Sequence, residues 1–395
     1  MFARVRRVLA RLNTLSVIGL ALALVLALTL FVWHLGSLTA GLSPSESAAR
    51  SGSLDLHSIL NNPVNAPHRL LQNLAQAFGY HGATSMRLVS VFFALIFLVS
   101  FYLLLRYWFG KFVGTLGTLM LAGTPLFIIT ARSATANIML LSPILVSATF
   151  VGLIAARRRT NLALVALSVA IVLCLYTPGG IWFIVLLSGF CYRHLLTHIQ
   201  RASSPSGALS AVLMIVLLAP LAWAVGRHWS VAQQLLLFPG HWQSWGDLAT
   251  ASLWVPISLV WHTRTTNEFI VGRLALLSAS QIALVIFGLY AMLTQARREI
   301  VALAAAGLLG LTLASLNNSI SLLIVILPIV SIFVAAGIRY LYVEWQTIFP
   351  KNPLPRGLAT TLLVALVGFQ VIWGFHYAVT AWPHTTATKS TYVIK

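Results

Sequence analysis

The sequence predicts an all-α polytopic membrane protein, a bundle of about eleven transmembrane helices forming one domain over residues 1–395. Three observations carry that fold class. First, 59% of the residues are hydrophobic and 8% are charged, against about a quarter charged in soluble domains, whose surfaces face water. Second, apolar runs near the roughly twenty residues needed to cross the hydrocarbon core recur along the whole chain. Third, the Lys and Arg residues gather in the short segments between those runs, alternating from one side to the other.

The apolar runs place spans near 14–35, 87–107, 112–130, 135–156, 161–176, 179–195, 208–226, 271–294, 299–316, 319–341 and 357–380. The fifth and sixth are parted only by the turn signal Tyr176-Thr177-Pro178-Gly179-Gly180. The first follows a basic stretch with Arg4, Arg6, Arg7 and Arg11. It is longer than a signal-peptide apolar core of about 7–15 residues, so it reads as a retained helix. Cleavage near the small residues 37–41 is the lesser alternative.

With the N-terminus inside, the inner segments hold those four arginines, then Arg106, Lys111, Arg157, Arg158, Arg159, Arg193, Arg201, Arg297, Arg298, Arg339, Lys351 and Arg356. This is most of the basic residues in the shorter loops, as expected for a cytoplasmic side. The C-terminal tail, 381–395, then lies outside, and a prokaryotic plasma membrane is the expected location. The net charge of +19 follows from these topology signals rather than from a nucleic-acid-binding face. Cys174 and Cys191 lie in or beside apolar runs and offer neither a disulfide framework nor metal spacing.

Two outer segments are long, 36–86 and 227–270. Leu70, Leu71, Leu74, Ala77 and Phe78 recur at helical spacing in the first, and Leu235, Leu236, Trp242, Trp245 and Trp254 give the second an interfacial composition. Both are expected to lie along the membrane surface as short amphipathic helices.

The six acids are Glu46, Asp55, Asp247, Glu268, Glu299 and Glu344. The first four fall in the two outer loops and none sits in mid-span, which argues against an ion-coupled transporter. No internal repeat is visible, and the chain lacks a phosphate-binding Gly-rich loop, a zinc HExxH and a GxSxG elbow. The first loop is the richest in chemistry. It carries Glu46, Asp55, His57 and Arg69, and a carboxylate beside cations at the membrane surface suits a general base for a hydroxyl acceptor. The competing reading of Ser43-Pro44-Ser45-Glu46 is a helix start with a capping box and Pro at the first position. Spacing favours the cap, and the two roles are compatible.

The order of these features resembles the GT-C superfamily of membrane glycosyltransferases, nearest the protein-mannosyltransferase and aminoarabinose-transferase branch (glycosyltransferase family 39-like). The residues carrying the resemblance are Leu42 to Ala49 after the first span and Asn62-Pro63-Val64-Asn65-Ala66-Pro67 before a short helix. Gly79 through Arg87-Leu88, Thr124-Pro125-Leu126-Phe127 and Ala131-Arg132-Ser133-Ala134 follow in order. It covers residues 1–190, and the remainder by topology alone.

The resemblance implies an inverting transfer of a sugar from a polyprenyl-phosphate donor, a membrane lipid, on the extracytoplasmic face. Glu46 or Asp55 would be the base. The family's acid pair is Asp-Glu, and here it reads Ser45-Glu46, so a non-catalytic carrier-binding or assembly subunit is the alternative; a lipid or solute transporter comes third. Arg132 is the expected phosphate contact, with snorkelling to the interface as the plain alternative. His57, Arg69, Arg264 and Arg273 are secondary candidates that double as interfacial anchors, and Tyr176 is either cavity lining or packing. No cofactor is indicated; a divalent metal bridging one acid and phosphate oxygens is the open variant. The sugar, the acceptor and the oligomeric state are not legible.

Overall fold

The computed structural model describes residues 22, 25–39, 41–80, 82–155, 160–201, 204–263 and 269–394. The first part of the first expected span, residues 14–21 with 23 and 24, lies outside the described residues, as do Arg264 and Glu268.

After a helical stretch over 25–31, three short helices form the first loop: α1 (Pro44–Gly52), α2 (Leu56–Asn61) and α3 (Ala66–Ala77). The bundle follows with α4 (Ala83–Phe109), α5 (Lys111–Ala122), α6 (Pro125–Ala131), a 3-10 turn and α7 (Ser142–Ala155), α8 (Thr160–Leu175), α9 (Gly180–Arg201) and α10 (Ser204–Arg227). The second long loop holds α11 (Trp229–Leu235) and α12 (Trp245–Val260). Then come α13 (Ala279–Gln295), α14 (Arg297–Leu316), α15 (Leu327–Ile348), α16 (Pro353–Phe375) and a short terminal α17 (Thr386–Thr391).

Among the described residues six helices are long and apolar enough to cross a membrane, or seven if the bent pair α5–α6 is one span. Three shorter apolar helices, Asn161–Leu175, Gly180–Tyr192 and Ala279–Gln295, match three further expected spans. The expected count of eleven is therefore not met by length alone. The bend of 69° between α5 and α6 falls at Gly123-Thr124-Pro125, where proline breaks a continuing helix but starts a new one well. Its loosened backbone is held by neighbours: Gln281 donates to Thr124 Oγ1 (2.8 Å) and Gln370 donates to the Gly123 carbonyl (3.2 Å). Within a bilayer such groups need protein partners.

One boundary moves more than its neighbours. The span expected from 271 starts at Ala279, behind a Ser278–Gln281 capping box. The preceding residues instead return to the end of α12, where Leu276 and Leu277 donate to the Ser258 and Leu259 carbonyls. The second loop also differs, because its 16-residue helix α12 is apolar along most of its length. Trp242, Trp245 and Trp261, at and near its ends, are exposed.

Cross-contacts give the bundle two ends. At one, Arg339 Nη1 donates to the Trp108 carbonyl (3.1 Å) and Arg298 Nη2 to the Phe190 carbonyl (3.2 Å); this is the arginine-rich end. At the other, Asn65 N–H donates to the Tyr176 carbonyl (2.8 Å) and Val271 N–H to the Tyr377 hydroxyl (2.7 Å); this is the loop end. Between them the fully buried Phe97, Phe101, Phe127 and Met120 form the core, and Phe31 brings the first helix onto it, edge to face with Phe127.

Helix α3 is inside out by soluble standards. His68, Gln72 and Gln76 on its polar face are buried, while Leu70, Leu74 and Phe78 on its apolar face are exposed. With exposed Leu54, Leu56 and Leu60 nearby, the loop presents apolar side chains outward. A surface helix against lipid arranges itself this way.

Candidate functional site

The site is built from the loop end. Ser43 caps α1: its Oγ accepts from Glu46 N–H (3.2 Å), and Ser43 N–H donates to Glu46 Oε2 (3.4 Å). That box turns the Glu46 side chain back toward the bundle. There Arg87, in the first turns of α4, donates through Nε to Oε1 (3.0 Å) and through Nη2 to Oε2 (2.8 Å). Ala134 N–H, in the turn after α6, donates to Oε1 (2.7 Å). Both carboxylate oxygens thus carry two donors each, and the side chains are 1% and 3% exposed. Two-pronged pairs of this kind are the strong form of the interaction.

Arg87 spends its other donors on the chain leading out of the first helix. Nη1 donates to the Leu35 carbonyl (2.9 Å), and Nη2 to Thr39 Oγ1 (3.0 Å) and the Gly41 carbonyl (3.2 Å). The cluster therefore ties three separate segments together. In this arrangement Glu46 has no lone pair turned toward an acceptor hydroxyl.

Arg132 is buried in the same region. Its Nη1 donates to the Leu30 carbonyl (3.0 Å) and Nη2 to the Trp33 carbonyl (2.6 Å), filling the carbonyls that a helix end leaves open. Burial, and next the Arg87 charge, lower its pKa to about 10. The expected phosphate contact is thus engaged with backbone. Arg69 reaches across the loop to the Asn62 and Gly52 carbonyls, closing the ends of α2 and α1; burial lowers its pKa. Tyr176 is a packing residue, with its hydroxyl on the Leu217 carbonyl (2.6 Å) and its ring among Ile59, Ala66 and Leu221.

Asp55 and His57 stay at the surface. Asp55 caps α2 by accepting from His57 N–H (3.1 Å), and His57 Nδ1 meets Asn61 Nδ2 (3.1 Å). Arg273 is exposed at a different place, where its carbonyl accepts from Thr263 N–H (3.2 Å). Glu46 and Arg132 are thus neighbours of one buried cluster, Asp55, His57 and Arg69 share the loop above it, and Tyr176 and Arg273 stand apart from both.

Sequence reasoning missed two parts of this region. Arg87 stands at the boundary of the expected span 87–107, although a charge beside an apolar run is by default a functional signal. The stripe His68, Gln72, Gln76, spaced by four, was masked by the leucines on the opposite face. His68 Nε2 donates to Ser90 Oγ (2.9 Å), since Ser90 itself donates to the Thr135 carbonyl (3.3 Å). That leaves His68 Nδ1 as a buried acceptor without a partner among the described residues. Burial lowers its pKa to about 3. Among the described residues no three His, Cys, Asp or Glu gather as a metal site would require.

No family model and no curated sequence matches the chain. Solved structures do. ArnT from Cupriavidus metallidurans, an aminoarabinose transferase, superposes with a TM-score of 0.59 at 16% identity, over 93% of this chain and 76% of that one. The chain has the GT-C fold. ArnT bound to undecaprenyl phosphate matches with a TM-score of 0.54 at 15% identity, over 94% of this chain and 78% of that one. The archaeal oligosaccharyltransferase AglB from Archaeoglobus fulgidus, solved with an inhibitory peptide and a dolichol-phosphate, matches at 0.55 and 12% identity. The present chain covers 55% of AglB, with 92% of its own length aligned.

Proposed function

We propose that this chain is a membrane glycosyltransferase that moves a sugar from a polyprenyl-phosphate carrier to a hydroxyl acceptor on the extracytoplasmic face, the face carrying the first loop. The fold supports this reading, as do the carrier phosphates seen with ArnT and AglB. The observation that supports this choice of residues is the saturation of Glu46 by Arg87, Ser43 and Ala134. On this reading Glu46 is a positioning residue and Asp55, the exposed carboxylate of the first loop, is the base.

Asp55 takes the proton of the acceptor hydroxyl. The acceptor oxygen forms its bond to the anomeric carbon from the face opposite the carrier, and the carbon–oxygen bond to phosphate breaks with its electron pair leaving on the phosphate. His57, exposed on α2 beside Asp55, is the donor assigned to that phosphate, with Arg69 on α3 adding only the N–H groups that the Asn62 and Gly52 carbonyls leave free.

The test uses the purified chain in vesicles with labelled polyprenyl-phosphate sugar. Asp55→Asn should cut kcat by about 10²–10⁴, the usual contribution of a general base, while carrier binding holds. Transfer unchanged in Asp55→Asn removes this mechanism.

A second reading has its own observation. Ser45, not Asp, precedes Glu46, and Glu46 is locked in an ion pair; both suit a carrier-binding or assembly subunit without turnover. Carrier retention by the wild type with no transfer from any polyprenyl-phosphate sugar selects it.

A further inference from the structure

One cavity among the described residues lies away from the first loop. It has a volume of about 650 Å³ and runs from the arginine-rich end into the middle of the bundle, between α7 and α9 on one side and α13, α14 and α15 on the other. Its walls are apolar for most of their length, with Phe150, Leu187 and Ala306 typical of the lining. At about 30 Å³ for a water-sized group, it holds on the order of twenty carbon-sized groups. That is one acyl chain; a polyprenyl chain several times longer would leave most of itself outside.

The mouth has a different chemistry. Arg298, Glu299, Arg339 and Glu344 line it, and all four are exposed. Among the described residues these two cations and two anions make no ion pair with one another. Each guanidinium gives one N–H to a backbone carbonyl, Phe190 for Arg298 and Trp108 for Arg339, which holds it in place and leaves further donors of its fork for a phosphate. The carboxylates accept only, so they suit a group that donates several N–H bonds.

We infer that this cavity is a binding site for a phospholipid with a phosphoethanolamine headgroup: one acyl chain fills the apolar shaft, Arg298 and Arg339 hold the phosphate, and Glu299 and Glu344 accept from the primary ammonium. An anionic headgroup would meet the two carboxylates unfavourably. A choline headgroup has no N–H to give them. The site is separate from the carrier site at the loop end and does not depend on it.

The test follows lipid retention by native mass spectrometry on the full chain in detergent, titrated separately with phosphatidylethanolamine, phosphatidylglycerol and phosphatidylcholine. The wild type should retain phosphatidylethanolamine about tenfold better than either competitor. Ala306→Phe, which fills the shaft, should lower that retention about tenfold. The double change Glu299→Gln with Glu344→Gln should abolish the preference over phosphatidylglycerol. Both cysteines of the chain line the cavity, so alkylation of Cys191 by N-ethylmaleimide gives a second measurement on the unaltered protein. Phosphatidylethanolamine should slow it several-fold. Equal retention of all three lipids, full retention in a folded Ala306→Phe, or alkylation indifferent to phosphatidylethanolamine would each overturn the proposal.

Discussion

Glu46 and Arg87 are 41 positions apart in the chain, and each is buried only because the other is. Removing one partner of such a pair leaves a charge without compensation, which costs about 3–5 kcal/mol. Glu46→Ala should therefore lower unfolding stability by that amount in detergent, and Glu46→Met with Arg87→Met should recover much of it; chemical denaturation checks both. His68 makes the other residue-scale prediction. Its pKa is near the ordinary 6.5 in the unfolded chain and about 3 when folded, so the unfolded state binds the extra proton. The stability it supports is complete above about pH 6.5 and falls as the pH drops toward 3, by at most about 1.4 kcal/mol per pH unit. Melting temperature followed from pH 7 to 4 should drop less steeply in His68→Gln than in the wild type. The capping box at Ser43 and Glu46 was legible from spacing because its partners are three residues apart. Arg132 was not, since its carbonyl partners at Leu30 and Trp33 lie about a hundred positions earlier. No local pattern encodes such a contact.

At the scale of elements, composition located the helices well because apolar length is a local property. The start of α4, the turn after Leu175 and the break before Arg297 all fall within a few residues of the apolar boundaries. The bend at Pro125 was hidden because glutamine side chains from other helices settle the backbone there, and the late start of α13 because the apolar residues before its capping box pair with the distant end of α12. The orientation of α3 was also hidden: its periodicity reads the same whichever face turns inward, and lipid reverses the usual choice. Helices α13 and α15 form a close pair. A Cβ added at Gly288 would run into the Phe333 carbonyl, and one at Gly337 into the Leu284 carbonyl. Overpacking of this kind costs about 1–3 kcal/mol, and helix–helix contact in membranes depends on such small residues. Gly288→Ala should lower the melting temperature in detergent, whereas Gly357→Ala, inside α16 where a Cβ meets nothing within 4 Å, should hold or slightly raise it through helix propensity.

For the whole molecule, the two ends divide the work. The loop end carries the buried Glu46 cluster and the exposed Asp55, and the arginine-rich end carries the cavity and its charged mouth. The C-terminal tail belongs to the loop end. Leu42 and Ile394 exchange backbone hydrogen bonds (2.7 and 3.2 Å). Tyr392 packs against Trp382, with the Arg87 guanidinium 5.9 Å from its ring centre. Deleting residues 389–395 should loosen the first loop, seen as faster amide exchange over Leu42–Gly52 with little change in α13 or α15.

That two-residue bridge also sets an order of events. The segment around Leu42 emerges from the ribosome long before its partner Ile394, with the whole bundle made between them. The first loop must therefore wait, unfinished, while the helices up to α16 enter the bilayer, and a nascent chain stalled short of Tyr392 would hold the Glu46 cluster without this brace.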